Sequence, residues 1–130
     1  MGLTAGGFVE IRFAEDLWLP VINLDGLLST HRAFCESMLR GAERFGSTEV
    51  PVDCNSAFRQ WLDQAQSELV GTMTWTPTGL RAFLSDANTP EADRAAVLDT
   101  TWMDVNLELI EVLERRFGTE GVRMVMYVVI

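Results

Sequence analysis

Val122-Arg123-Met124-Val125-Met126-Tyr127-Val128-Val129-Ile130 closes the chain with a run that is apolar at nearly every position. An alternating strand hides one face from water. A strand apolar on both faces must be covered on both, which places it in the middle of a sheet. Gly118 or Gly121, just upstream, is suited to end the helix before it. The reading of this stretch decides the fold class, because a central strand at the C-terminus requires strands from elsewhere in the chain beside it.

Residues 8–13, Phe-Val-Glu-Ile-Arg-Phe, supply one such strand. Val9, Ile11 and Phe13 point one way, and Glu10 and Arg12 the other. After Ala14-Glu15-Asp16, Leu17 to Ile22 can return as a hairpin partner, with Pro20 confining it to an edge or a bulge. Val70 to Trp75, rich in β-branched and aromatic residues, is a further strand. Residues 1–7, with Gly2, Gly6 and Gly7, read as a flexible leader. These glycines precede a strand instead of linking a strand to a helix, so they do not form a phosphate-binding loop.

Helical stripes fill the intervals. Asn23 or Asp25 can cap a helix carrying Leu24, Leu27, Leu28, His31, Phe34, Cys35, Met38, Ala42 and Phe45, which Gly46 would end in a left-handed cap. Asp53 or Asn55 can cap a second, with Phe58, Trp61, Leu62, Ala65 and Leu69 as its stripe. Thr76-Pro77 starts a short helix, and Thr89-Pro90 another. Thr101 with Asp104 forms a weak capping box that breaks the last segment near Thr100. The final helix then carries Trp102, Val105, Leu109, Ile110, Leu113 and Phe117 on its apolar side. The expectation is one α+β domain over residues 1–130. Its small sheet has three or four strands: an N-terminal strand or hairpin, a central strand and a C-terminal strand. Four or five helices pack on it. Crossovers between any parallel strands should be right-handed.

Composition narrows the function classes. Nineteen acidic residues oppose ten basic ones, a formal charge of −9, and every basic residue is arginine. That balance argues against direct nucleic-acid binding, which needs a basic footprint, and against an anionic membrane surface. No apolar run is long enough to span a bilayer, and no secretory leader is visible, so a cytoplasmic protein with buried thiols is expected.

Catalytic chemistry has little to stand on. His31 and Cys35 share a helix face and, with Cys54, could offer three ligands to zinc. There is no Cys-x-x-Cys, no second histidine and no fourth ligand, so neither a metal, a cofactor nor a cysteine nucleophile is expected. The suggestive feature is the last helix, where Asp104, Glu108 and Glu111 recur at i, i+4 and i+7 with Asp99 and Glu114 nearby. Like charges so placed repel, so they form either a solvated face or a docking surface for a basic partner. Trp18 and Trp75, near strand ends, are candidate binding anchors. Trp61 and Trp102, on helical stripes, read as core.

The element order from about Leu19 onward is similar to that of the barstar family of nuclease inhibitors. A strand and helix are followed by a capped helix bearing a tryptophan (Asn55 to Glu68), a short strand (Val70 to Trp75), two helices, and a strand after a glycine (Gly121 to Ile130). The resemblance is one of architecture and transfers no site residue. It implies an inhibitor that sets carboxylates where a nuclease holds phosphates. The leading expectation is therefore an immunity- or antitoxin-type protein that covers a basic toxin or nuclease. The alternatives are a DNA-mimic anti-defence protein, a small-ligand enzyme with a scattered site, or a subunit of a larger assembly. A homo-oligomer paired through the C-terminal strand is expected if neighbours leave that strand uncovered.

Overall fold

In the computed structural model, described over residues 3–25, 32–98 and 101–130, the closing run is strand β4 (Val122–Val129). For residues 101–106 the description is confined to the helical backbone. Strands β1 (Thr4–Ala14), β2 (Leu17–Asn23) and β3 (Leu69–Trp75) complete a four-stranded sheet in the order β2-β1-β4-β3. Every neighbouring pair is antiparallel, so no parallel crossover arises within it. The C-terminal strand is central, as its composition requires. For the same reason it offers no open edge, and the expected route to a homo-oligomer through it is removed.

Helices α1 (Arg32–Phe45), α2 (Ser56–Gln64), α3 (Pro77–Ser85), α4 (Glu91–Leu98) and α5 (Thr101–Phe117) occupy the intervals. Asn55 caps α2 through Oδ1, which accepts from Ala57 N at 2.8 Å, and Thr76 caps α3 by accepting from Gly79 N at 3.0 Å. Gly118 ends α5 with φ +84°, a conformation that favours glycine. Gly46 does not adopt the left-handed cap, since the positive-φ residues among those described are Gly7 and Gly118. The chain instead passes at Gly46 into a bridge between Ser47 and Thr74.

The main core lies on one face of the sheet. Val9, Ile11, Met73, Trp75, Val122, Met124, Met126 and Val128 point into it and meet Phe34 and Met38 of α1, Leu80 and Phe83 of α3, Val97 of α4 and Ile110 of α5. The α1 stripe falls as its periodicity requires over Phe34 to Ala42, while residues 26–31, including His31, lie outside the described residues. Two interhelical ion pairs border this layer. Arg40 of α1 pairs with Asp93 of α4, which also accepts from Ser37 Oγ at 3.0 Å. Arg81 of α3 grips Glu114 of α5 through both terminal nitrogens, at 2.6 and 2.9 Å.

Two local readings change. The expected flexible leader is structured from Leu3 onward: β1 begins at Thr4, and Leu3 and Ala5 are buried. Gly6 and Gly7 face β4 at Tyr127 and Met126. The apolar side of α5 is also rotated from the expected stripe. Leu107, Ile110, Leu113 and Phe117 face the core, and Leu109 is 43% exposed. The contact with the sheet selects Ile110, and Leu109 falls on the solvent side of the helix.

Candidate functional site

Alternate residues of the same strands point away from the helical core and build a second face. Glu10 on β1 stands opposite Arg123 on β4, and Phe8 opposite Val125. Val125, Cys54 and Leu62 are buried yet lie outside the main core cluster, which marks this face as a separate packing layer. Helix α2 covers part of it.

Beside that cover, against Trp18 and Asp53, sits an ionic centre. Glu10 is 0% exposed, and its Oε1 accepts from Arg123 Nε at 2.8 Å. Arg123 Nη1 reaches Asp53 Oδ1 at 3.0 Å, and the guanidinium lies 3.8 Å from the centre of the Trp18 ring. This is a cation–π stack closed by carboxylates on the other sides. Burial pushes the Glu10 carboxyl above its ordinary value, partly offset by the bond and charge of Arg123. Cys54, buried beside the pair, is pushed up to about 11, first by burial and then by Glu10. A thiol so raised is not an activated nucleophile. Among the described residues, no hydrogen-bond partner meets the buried Glu10 Oε2 and Arg123 Nη2.

Next to the ionic centre an open cleft of about 600 Å³ runs between α2 and β2. Its aromatic wall is continuous. Phe8 meets Phe58 edge-on at 5.0 Å, Phe58 stacks on Trp61 at 5.9 Å and 17°, and Trp61 meets Tyr127 at 4.5 Å. Pro20, Val21 and Ile22 of β2 form the opposite wall. Asp25 stands at the rim with its Oδ1 fixed by two donors, the Tyr127 hydroxyl and Gly7 N, both at 2.9 Å. Tyr127 is pushed up to about 12, first by burial, then by its bond to Asp25 and the charge of that residue. Leu24 N donating to Gly7 O at 2.8 Å completes the attachment of the Asp25 turn to β1. Here the glycines earn their place: a Cβ at Gly6 would collide with Tyr127 Oη and Asp25 Oδ1, and Gly7 holds φ +141° with no room for a Cβ against Val125 O.

The residues selected from sequence fare unequally. Glu108 and Glu111 are exposed on α5, as a docking face needs, with exposed Leu109 and Val112 among them. Glu114 is engaged by Arg81, whose bond holds its carboxyl below the usual range. Asp99, the side chain of Asp104 and that of Trp102 lie outside the described residues. Trp18 is half-buried over Arg123. Trp75 is no anchor: it is 0% exposed and packs against Phe83 at 5.5 Å. Its place at the end of β3 put it under α1 and α3 instead of in solvent. Trp61, read as core, is 38% exposed and lines the cleft. Phe8, Asp25, Phe58 and Tyr127 were not selected as site residues. Two glycines inside a strand were the available signal, since they mark close approach of another group.

The chain matches no protein-family model, no curated protein and no solved structure. None of these comparisons supports the similarity of element order to the barstar family. Among the described residues, no group of His, Cys, Asp and Glu is arranged to hold a metal, and no helix is long and apolar enough to cross a membrane. His31 falls outside that description.

Proposed function

We propose that the chain works by binding a basic protein, as an inhibitor or immunity-type protein does, and that the aromatic cleft is its principal recognition face. The observation that carries this is the cleft: four contiguous rings, one of them the exposed Trp61, with a carboxylate fixed at the rim. Its volume and apolar lining with few polar groups suit the burial of an anchoring side chain. The net charge of −9 favours cationic partners and speeds their approach. Titration of the protein with a panel of small basic nucleases, followed by calorimetry, tests the reading. A saturable complex that is lost on Trp61→Ala is expected. Absence of any complex rejects the function, and a complex indifferent to Trp61→Ala rejects the cleft as its site.

A second reading rests on α5. Glu108 and Glu111 are exposed beside Leu109 and Val112, so an acidic surface with an apolar centre is presented there. Reversing Asp104, Glu108 and Glu111 to arginine would abolish binding through α5 and leave binding through the cleft only modestly weaker. A DNA-mimic role draws less support, because Arg81 neutralises Glu114 and interrupts the acidic run.

A further inference from the structure

We infer that the cleft is built to take an arginine side chain of the partner, its guanidinium stacked on Trp61 and paired with Asp25. The inference rests on the cleft being the recognition face and specifies what enters it. Three observations carry it.

The first is the state of the rim carboxylate. Asp25 Oδ1 accepts from both Tyr127 Oη and Gly7 N, and these fix the plane of the group. Among the described residues no donor meets Oδ2. A carboxylate oriented by two donors on one oxygen presents the other to a charged donor, and such charge-assisted bonds are the strong ones. The second is proximity. Tyr127 bonds Asp25 through its hydroxyl and touches Trp61 with its ring, at 4.5 Å between centroids. One tyrosine therefore separates the carboxylate from an exposed indole, and a planar cation lying along that ring spans the gap. Guanidinium suits the geometry better than ammonium because it is flat, weakly hydrated and forked.

The third observation is internal. The protein already assembles this recognition unit on the same sheet face, where the Arg123 guanidinium lies over Trp18 with Glu10 and Asp53 as its carboxylate partners. Trp61, 38% exposed, and Asp25 supply the same two components beside the cleft. Asn23 and Asn55, which also line the cleft, are partly committed: Asn23 Oδ1 accepts from Asp25 N and Asn55 Oδ1 from Ala57 N, each at 2.8 Å. The charge that draws the ligand in is thus that of Asp25.

The test uses the full chain and three blocked pentapeptides, Gly-Gly-X-Gly-Gly, in which X is arginine, citrulline or norleucine. Binding is read from the indole N–H resonance of Trp61, assigned by its loss in Trp61→Ala. Citrulline keeps the shape of arginine without its charge. The arginine peptide is expected to bind about tenfold more tightly than the citrulline peptide, as one desolvated cation–π and ion-pair contact provides. Asp25→Asn, which can still accept from Tyr127 and Gly7, should erase that preference with the fold unchanged. Equal binding of arginine and citrulline or norleucine overturns the inference while leaving the cleft as a binding site. An arginine preference that survives Asp25→Asn overturns the assignment to Asp25. No movement of the Trp61 resonance with any peptide overturns both the inference and the cleft reading.

Discussion

On β4, Met124 and Met126 point into the helical core, while their neighbours Arg123 and Val125 point to the face under α2. The helical face is filled by side chains without strong directional needs, and Trp75, Met73 and Phe34 are essentially inaccessible there. The α2 face buries as deeply at Glu10, but through a charge that must keep one partner in one place. Burial of apolar surface tolerates small shifts, whereas burial of a charge does not. The difference accounts for where a site can form. The helical layer is closed by interdigitation, and the α2 layer, held by a few directed contacts, leaves a cleft open beside them.

The largest effects should come from truncating each face once and then twice. Trp75→Ala removes the largest side chain of the helical core and should cost about 3–5 kcal/mol. Glu10→Ala should cost about the same, because it leaves the Arg123 guanidinium buried without its main counter-ion. The double variants separate the two cases. Glu10→Leu with Arg123→Met removes both charges, together with the unsatisfied Oε2 and Nη2, and should return to within about 1–2 kcal/mol of the parent or exceed it. Trp75→Ala with Phe83→Ala should lose more than either single change. Urea denaturation followed by circular dichroism reads all of these. A Glu10/Arg123 double variant as unstable as Glu10→Ala would show that this face packs like the other.

The faces should also titrate with opposite sign. Arg40 holds the Asp93 carboxyl below its ordinary value, and Arg81 does the same to Glu114. Their stabilisation is complete above the ordinary carboxylate values and is lost as pH falls through the lowered ones. Glu10 is raised, chiefly by desolvation. Its folded form holds a proton more readily than the unfolded form, so its contribution is favourable in acid and disappears as pH rises through the raised value. Asp93→Asn should therefore make the acid loss of stability shallower, and Glu10→Gln should make it steeper. The same slope in both variants would remove the electrostatic contrast between the faces.

How much of this was legible in the sequence follows the range of each interaction. The caps at Asn55 and Thr76 are contacts within a few residues: Thr76-Pro77 is readable as a start signal, and Asn55 is one of two candidates beside Asp53. The central position of β4 was readable because one strand records the burial of both its faces. Glu10 and Arg123 are 113 residues apart, and nothing in an alternating strand says which opposite charge will stand across from it. Trp61 and Trp75 exchanged places for a similar reason. A stripe position tells which way a side chain points on its helix, but not whether that helix lies over the core or beside an open cleft. Glycines 6 and 7 were visible, yet their purpose lies in Tyr127, Asp25 and Val125, which only the sheet register brings to them.

A smaller effect tests whether the rim of the cleft is as ordered as its geometry requires. Tyr127 is the one tyrosine of the chain, so its ionisation can be followed alone by ultraviolet absorbance. Burial, the Asp25 bond and the Asp25 charge together hold it at about 12. Little tyrosinate should appear where a free phenol ionises. Asp25→Asn should lower the midpoint toward the ordinary value, while the burial contribution keeps it above that value. A wild-type midpoint at the ordinary value would mean that the Tyr127–Asp25 contact does not hold in solution, and the preorganised carboxylate would go with it.

The smallest change in stability should come from Trp61→Ala, and its smallness is the informative part. A tryptophan in the helical core is expected to cost several kcal/mol on truncation, as for Trp75. Trp61 is 38% exposed, with Phe58 on one side, Tyr127 on another and the cleft on a third. Losing it uncovers ring surface already near water and opens no sealed cavity, so the cost should be about 1 kcal/mol. Partner binding, by contrast, should fall far more than stability, since anchoring aromatics dominate recognition surfaces. Calorimetric binding and urea denaturation on the same variant give the two numbers. A stability loss as large as that of Trp75→Ala would assign Trp61 to packing and the aromatic wall to the core. A small loss with abolished binding would separate the two faces by purpose: one closed for stability, the other left open for recognition.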